Sequence, residues 1–133
     1  MAGTVTQTHE RRGPIGVHTL TITADAVNAL VPSTALSVSF SGKLLALETN
    51  PGTTAPTDEY DIVITDSEGH DVLQGVGANR DATSTEFISI GIAWNSLLNH
   101  PIAASDVLTL ALTNNSVNSA VVVLKLYYEG TSF

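Results

Sequence analysis

The chain contains no cysteine, only two lysines and three arginines, and a single tryptophan. Without thiols there is neither a disulfide framework nor thiolate zinc ligation, so stability must come from burial, hydrogen bonding or association with other subunits. Cations are outnumbered, 5 basic residues against 13 acidic ones, and the net charge of -8 repels phosphate backbones and anionic lipid alike. Nucleic acid and membrane surfaces are therefore not expected as partners. Long apolar runs are missing too: the longest is Ala120 to Leu124, far short of the roughly 20 residues that span a bilayer. The start, MAGTVTQTHERRG, lacks the apolar core of a signal peptide. The expectation is a protein made and kept in a cytoplasm.

What is present favours strands. Threonine occurs 17 times and serine 12 times among 133 residues, and charged residues make up 14% against a usual value of about 25%. Branched side chains keep their freedom on a pleated surface and lose it in a helix. A lightly charged, Thr/Ser-rich surface also suits a chain packed against copies or partners, although many β-sandwiches share that composition without assembling. The length fits one domain with one core.

Alternation places the strands. Residues 1–16, which hold Arg11, Arg12 and the Gly13-Pro14 pair, read as an extended arm or a short edge strand. Val17 to Thr23 alternates, with Leu20 and Ile22 on one face and Thr19, Thr21 and Thr23 on the other. Residues 24–34 break the pattern around Pro32 and form a loop with room for one helical turn. Leu36, Val38 and Phe40 then face inward. After Gly42, Leu44, Leu45, Ala46 and Leu47 are apolar without alternation, which predicts a bulge that changes the buried face or a strand covered on both sides.

Asn50-Pro51-Gly52 has the residue order of a turn. Tyr60, Ile62 and Ile64 share a face, and Asp66-Ser67-Glu68-Gly69 closes a hairpin onto Asp71-Val72-Leu73. Residues 74–86 are turn-rich. Phe87 to Trp94 alternates with Ile88, Ile90, Ile92 and Trp94 together, Asn95 to Ser105 reads as a loop, and Val107 to Thr113 alternates again. Ala120 to Tyr128 is apolar on both faces, hence a central or interface strand. The sum is an all-β protein, an antiparallel β-sandwich or jelly-roll-like barrel of about eight strands, with an N-terminal arm over 1–16 and one domain over 17–133.

No catalytic signature accompanies this pattern, and neither enzyme activity nor a cofactor is expected. Asp66, Glu68, His70 and Asp71 offer oxygen and imidazole donors for a metal, but glycine stands fourth instead of sixth, and the spacing is not that of a calcium loop. A solvated hairpin tip is the simpler account. The four histidines, His9, His18, His70 and His100, lack paired ligand spacing. No G-x-S-x-G elbow exists, and Gly75-Val76-Gly77-Ala78-Asn79 lacks the lysine and helix of a phosphate loop. Arg80 stands alone among acids, either bridged to Asp58, Asp61 or Asp81 or simply exposed. Trp94, Tyr127 and Tyr128 could stack on a sugar, though Trp94 runs in phase with three isoleucines and reads as core. Asn114-Asn115-Ser116 matches a glycosylation sequon, which acts only in a secreted chain.

The run NPGTTAPTDEYDIVITDSEGHDVLQGVGANRDATSTE carries a resemblance. With Gly3-Thr4-Val5-Thr6, Glu10, Arg12-Gly13-Pro14, Pro51-Gly52, Ala55-Pro56-Thr57-Asp58, Tyr60-Asp61, Asp71-Val72-Leu73, Gly77-Ala78-Asn79-Arg80, Leu108-Thr109-Leu110 and Thr113-Asn114, the chain resembles a family of small structural proteins of tailed bacteriophages. The likeness touches most of the chain and is thinnest over 93–105. It implies a virion component made in the host bacterial cytoplasm: a capsid decoration or cement protein, or another head or tail subunit. The implied partners are copies of the chain, in a small oligomer such as a trimer, and the major capsid or other virion proteins. Interface candidates are Arg11, Arg12, Leu44, Leu45, Leu47, Arg80, Val121, Val123 and Tyr127. A surface glycan-binding module and a metal-assisted hydrolase are the competing readings.

Overall fold

A computed structural model describes residues 3–90 and 101–132. These form seven strands and, among the described residues, no helix: β1 (Thr4–Arg12), β2 (Ile15–Thr23), β3 (Thr34–Pro51), β4 (Asp61–Thr65), β5 (Glu86–Ser89), β6 (Pro101–Thr113) and β7 (Val121–Ser132). Every pairing is antiparallel. The order β1-β2-β7-β3-β6-β4, with β5 also on β3, makes the protein all-β, as its composition led one to expect.

β3 is the axis of the fold. Its first half pairs with β6 between Thr34 and Lys43, and its second half pairs with β7 between Phe40 and Pro51. The strand thus belongs to both halves of a sandwich-like arrangement. Leu20, Ile22, Leu124 and Leu126 from one half meet Ile62, Ile64, Leu108 and Leu110 from the other in a single core. Burial of each such side chain is worth about 1.5–3 kcal/mol.

The bulge expected after Gly42 is present. Leu44 stands opposite Tyr128 and Ala46 opposite Tyr127, so Leu45 is the extra residue. Leu44 is buried before it, and Leu47 and Thr49 are buried after it. One inserted residue has moved the inward phase from even to odd positions. Only glycine fits at position 42, where φ is +131° and a Cβ would lie 2.1 Å from the Glu129 carbonyl oxygen.

Several expectations need correction. Of the two readings of residues 1–16, arm or edge strand, the edge strand is the one present: β1 is joined to β2 by the two-residue Gly13-Pro14 turn and is in register with it from Thr4↔Thr23 to Arg12↔Ile15. Asn50-Pro51-Gly52 does not turn, because β3 continues through Pro51 opposite Val122 and Gly52 donates to the Val121 carbonyl at 2.8 Å. With Gly52 donating towards β7, the Pro51 nitrogen points the other way, past the end of β5, where no ladder donor is required. Pro101 to Ser105 is strand, not loop, and proline is tolerated as its first residue. The return arm of the β4 hairpin is irregular. It still covers the edge of β4, since Val72 donates to Ile64, Ile62 to Gly77 and Arg80 to Tyr60, each at 2.8 Å. The expected inward placement of Val38 and Phe40 lies outside the described side chains, and that of Ile92 and Trp94 outside the described residues.

Candidate functional site

The acidic stretch folds into loops that consume its carboxylates. Asp66 Oδ1 accepts the Glu68 and His70 amides at 3.0 and 2.9 Å, and its Oδ2 lies 3.1 Å from His70 Nδ1. The His70 amide is the main reason the Asp66 carboxyl sits below its ordinary pKa, with the His70 side chain adding to it. Asp71 accepts the Leu73 and Gly75 amides at 3.0 and 2.9 Å, one on each oxygen. Glu68 points to solvent. Asp66, Glu68, His70 and Asp71 thus shape a turn, and among the described residues no group of three or more metal-ligating side chains converges.

Arg80 is bridged, but not to the expected acids. Asp58 accepts the Ala82 amide and Asp61 the Asn79 amide, while Asp81 is occupied by the Thr83 amide and hydroxyl. The loop over 80–86 instead folds back on itself, placing Glu86 3.4 Å from the Arg80 guanidinium. Glu86 also accepts the Asp81 amide at 2.9 Å. Close packing fixes the preceding Gly77: a Cβ there would lie 2.1 Å from the Ile62 carbonyl oxygen, so this glycine seats the loop against β4, whereas Gly75 meets nothing within 4 Å and answers only to a φ of +83°.

The interface candidates divide. Leu44 and Leu47 are fully buried in the chain's own core, because the bulge turns both inward, and neither is open to a partner. Leu45, Val121, Val123 and Tyr127 are half-buried. The last three stand on the outer face of β7, opposite in phase to buried Val122, Leu124, Leu126 and Tyr128. Arg11 is exposed and donates to the Gly130 carbonyl. Arg12 pairs with Glu10 at 2.8 Å on the surface.

Register turns this outer face into ordered rows. Tyr127 lies between Val17 and Ala46, Lys125 between Thr19 and Glu48, and Val123 between Thr21 and Asn50. Beyond β2, Thr4, Thr6 and Thr8 pair with Thr23, Thr21 and Thr19, cross-strand pairs that stabilise a sheet while leaving its surface uncharged. The Tyr127 ring meets Phe87 at 5.3 Å. A groove of about 410 Å3 runs beside it, walled by Glu10, Arg12, Ile15, Val17, Lys125 and Tyr127. Tyr128 is buried and so not available to a sugar platform; Trp94, read as core, lies outside the described residues.

Two clusters escaped sequence reasoning. Gln7 Nε2 donates to the Ala35 carbonyl at 3.0 Å, which leaves its Oε1 to accept the Ser37 amide at 2.7 Å and His18 Nε2 at 2.8 Å. His18 therefore carries its proton on Nε2. It is fully buried, and desolvation, helped by neighbouring His9, lowers its pKa to about 4. His9 Nε2 in turn meets the Tyr128 hydroxyl. The signal was the period-2 phase of TVTQTHE, which places Val5, Gln7 and His9 on one face. The second cluster is Asn115, whose side chain accepts the Thr57 amide at 3.0 Å and donates to the Ala29 carbonyl at 3.0 Å. It ties three loops together at one end of the sheet.

No family model, curated protein or solved structure matches the chain.

Proposed function

We propose that this chain is a non-enzymatic structural protein of a bacteriophage virion, a capsid decoration or cement protein that docks on capsomers through the outer face of β1, β2 and β7. The observation that carries this reading is the character of that face. It is regular, rich in threonine, and centred on half-buried Val121, Val123 and Tyr127 with exposed Phe87 beside them. A lightly charged surface with aromatic anchors is what a protein partner buries most cheaply. The resemblance to small phage structural proteins points the same way. The major capsid protein and copies of the chain are the proposed partners.

Co-sedimentation with empty heads lacking the protein tests it. The wild type should pellet with the heads, whereas Tyr127→Asp should stay in the supernatant with an unchanged melting temperature. Binding to purified tails in place of heads would move the assignment to a tail or head-tail subunit. Failure to bind either would overturn it.

A further inference from the structure

The two ends of the β1-β2-β7 sheet carry complementary features. At the Thr23 end, the loop leaving β2 presents Val27 and Leu30, which are 76% and 63% exposed. This knob is held in shape: Asp25 Oδ1 accepts the Val27 and Asn28 amides at 2.7 and 3.2 Å, and the Asp25 carbonyl accepts the Ala29 amide at 3.2 Å. Through Asn115 the knob adjoins the segment carrying exposed Asp58 and Glu59. Towards the other end lies the groove walled by Ile15, Val17 and Tyr127, with Lys125 at its side together with Arg12 and the Glu10 that pairs with it at 2.8 Å, one positive charge in excess. Val17 and Thr23 are six residues apart on β2, roughly 20 Å.

Charge is divided in the same sense. Asp25 and the span 58–86 hold nine of the 13 acidic residues and one of the 5 basic ones. The remaining four cations, Arg11, Arg12, Lys43 and Lys125, all stand on β1, β3 and β7, with Glu10, Glu48 and Glu129 among them. The sheet is thus close to neutral, while the loop side carries the anionic charge.

We infer that copies of this chain associate head to tail, the Val27/Leu30 knob of one copy entering the Ile15/Val17/Tyr127 groove of the next, with Asp58 and Glu59 facing Arg12 and Lys125. A contact between two different patches is heterologous, so it propagates into a ring or an open row. Only a small surface is covered, and the contact is weak in dilute solution. The contact uses Tyr127, which also belongs to the face proposed to dock on capsomers, so it is inferred for the free chain at high concentration and competes with docking at that residue.

Sedimentation of the purified chain up to about 1 mM tests it. The weight-average mass should rise above 13.9 kDa with concentration, and should fall in about 1 M salt, where the Debye length is about 3 Å. Val27→Asp/Leu30→Asp removes the knob, and Arg12→Glu/Lys125→Glu reverses the groove. Each variant alone should remain monomeric. Their equimolar mixture, which restores one knob and one groove, should form a dimer and stop there. Thermal melts establish that both are folded, and Ile15→Asp replaces the groove variant if that one is not. A wild type monomeric at about 1 mM, a mass indifferent to salt, or a mixture that stays monomeric would overturn the inference. Because no capsid is present, failure to bind heads leaves this result standing, and its own failure leaves head binding untouched.

Discussion

Gln7 and His18 are joined by a 2.8 Å hydrogen bond between neighbouring strands β1 and β2, and the same Gln7 amide satisfies two backbone groups of β3. The side chain therefore links the edge strand to the first half of β3, with which β1 shares no ladder. Gln7→Ala should remove three hydrogen bonds and leave the buried His18 imidazole less well paired, a loss of about 1–3 kcal/mol. Urea unfolding of the two proteins measures it. A change below about 0.5 kcal/mol would show that water replaces the amide without cost.

His18 makes stability depend on pH. Its folded pKa, about 4, lies below the ordinary 6.5, so between these values the unfolded chain binds the proton and the folded chain does not. Stability from this group is complete above pH 6.5, declines as pH falls towards 4, and is constant below, with a ceiling of about 3 kcal/mol. His9 is lowered as well, by desolvation and then by Arg11, and adds in the same direction. The depressed carboxyls of Asp25, Asp66 and Asp81 act in a separate window, since their contribution is lost only as pH falls below the ordinary 3.8. Unfolding free energies at half-unit steps from pH 7 to pH 4 should slope downward in the wild type and be flatter in His18→Gln. Equal slopes would assign the effect elsewhere.

How far these features were legible differs by element. β2 alternates so regularly that both its faces could be read in advance, whereas β7, apolar on both faces in VVVLKLYY, showed a central strand but not which side it buries. The four apolar residues after Gly42 left a bulge and a strand covered on both sides as alternatives, and the register shift at Leu45 makes it a bulge. Pro51-Gly52 misled, since local turn chemistry is outweighed when β7 supplies a backbone partner. The start of β6 was hidden because Ala103, Ala104, Ser105 and Asp106 carry no apolar alternation. Polar residues on an inward face defeated the search for a core, and Gln7 was overlooked although its phase was visible. The partner of Arg80 could not be read at all, as it depends on how six residues of loop fold back.

Arg80 and Glu86 form a partly buried pair at 3.4 Å, and Arg80 Nε also donates to the Ala78 carbonyl at 3.1 Å. Arg80→Ala should cost about 1 kcal/mol. Glu86→Ala should cost at least as much, because it also strands the Asp81 amide. A double-mutant cycle by denaturant unfolding should give a coupling of about 0.2–1 kcal/mol. A coupling of zero would mean that the backbone bonds alone hold the loop.

Gly77 and Gly69 separate close packing from backbone conformation. A methyl group on Gly77 would stand 2.1 Å from the Ile62 carbonyl oxygen, whereas one on Gly69 meets nothing within 4 Å and suffers only from a φ of +90°. The Ile62 amide also donates to the Gly77 carbonyl at 2.8 Å, so the loop cannot withdraw without uncovering the edge of β4. Gly77→Ala should therefore destabilise by more than about 2 kcal/mol and expose the β4 amides to hydrogen exchange. Gly69→Ala should cost about 1 kcal/mol and leave exchange at Ile62 and Ile64 unchanged. Equal losses in the two variants would mean that the loop over 72–80 moves freely away from β4, and that the edge is protected by something other than this packing.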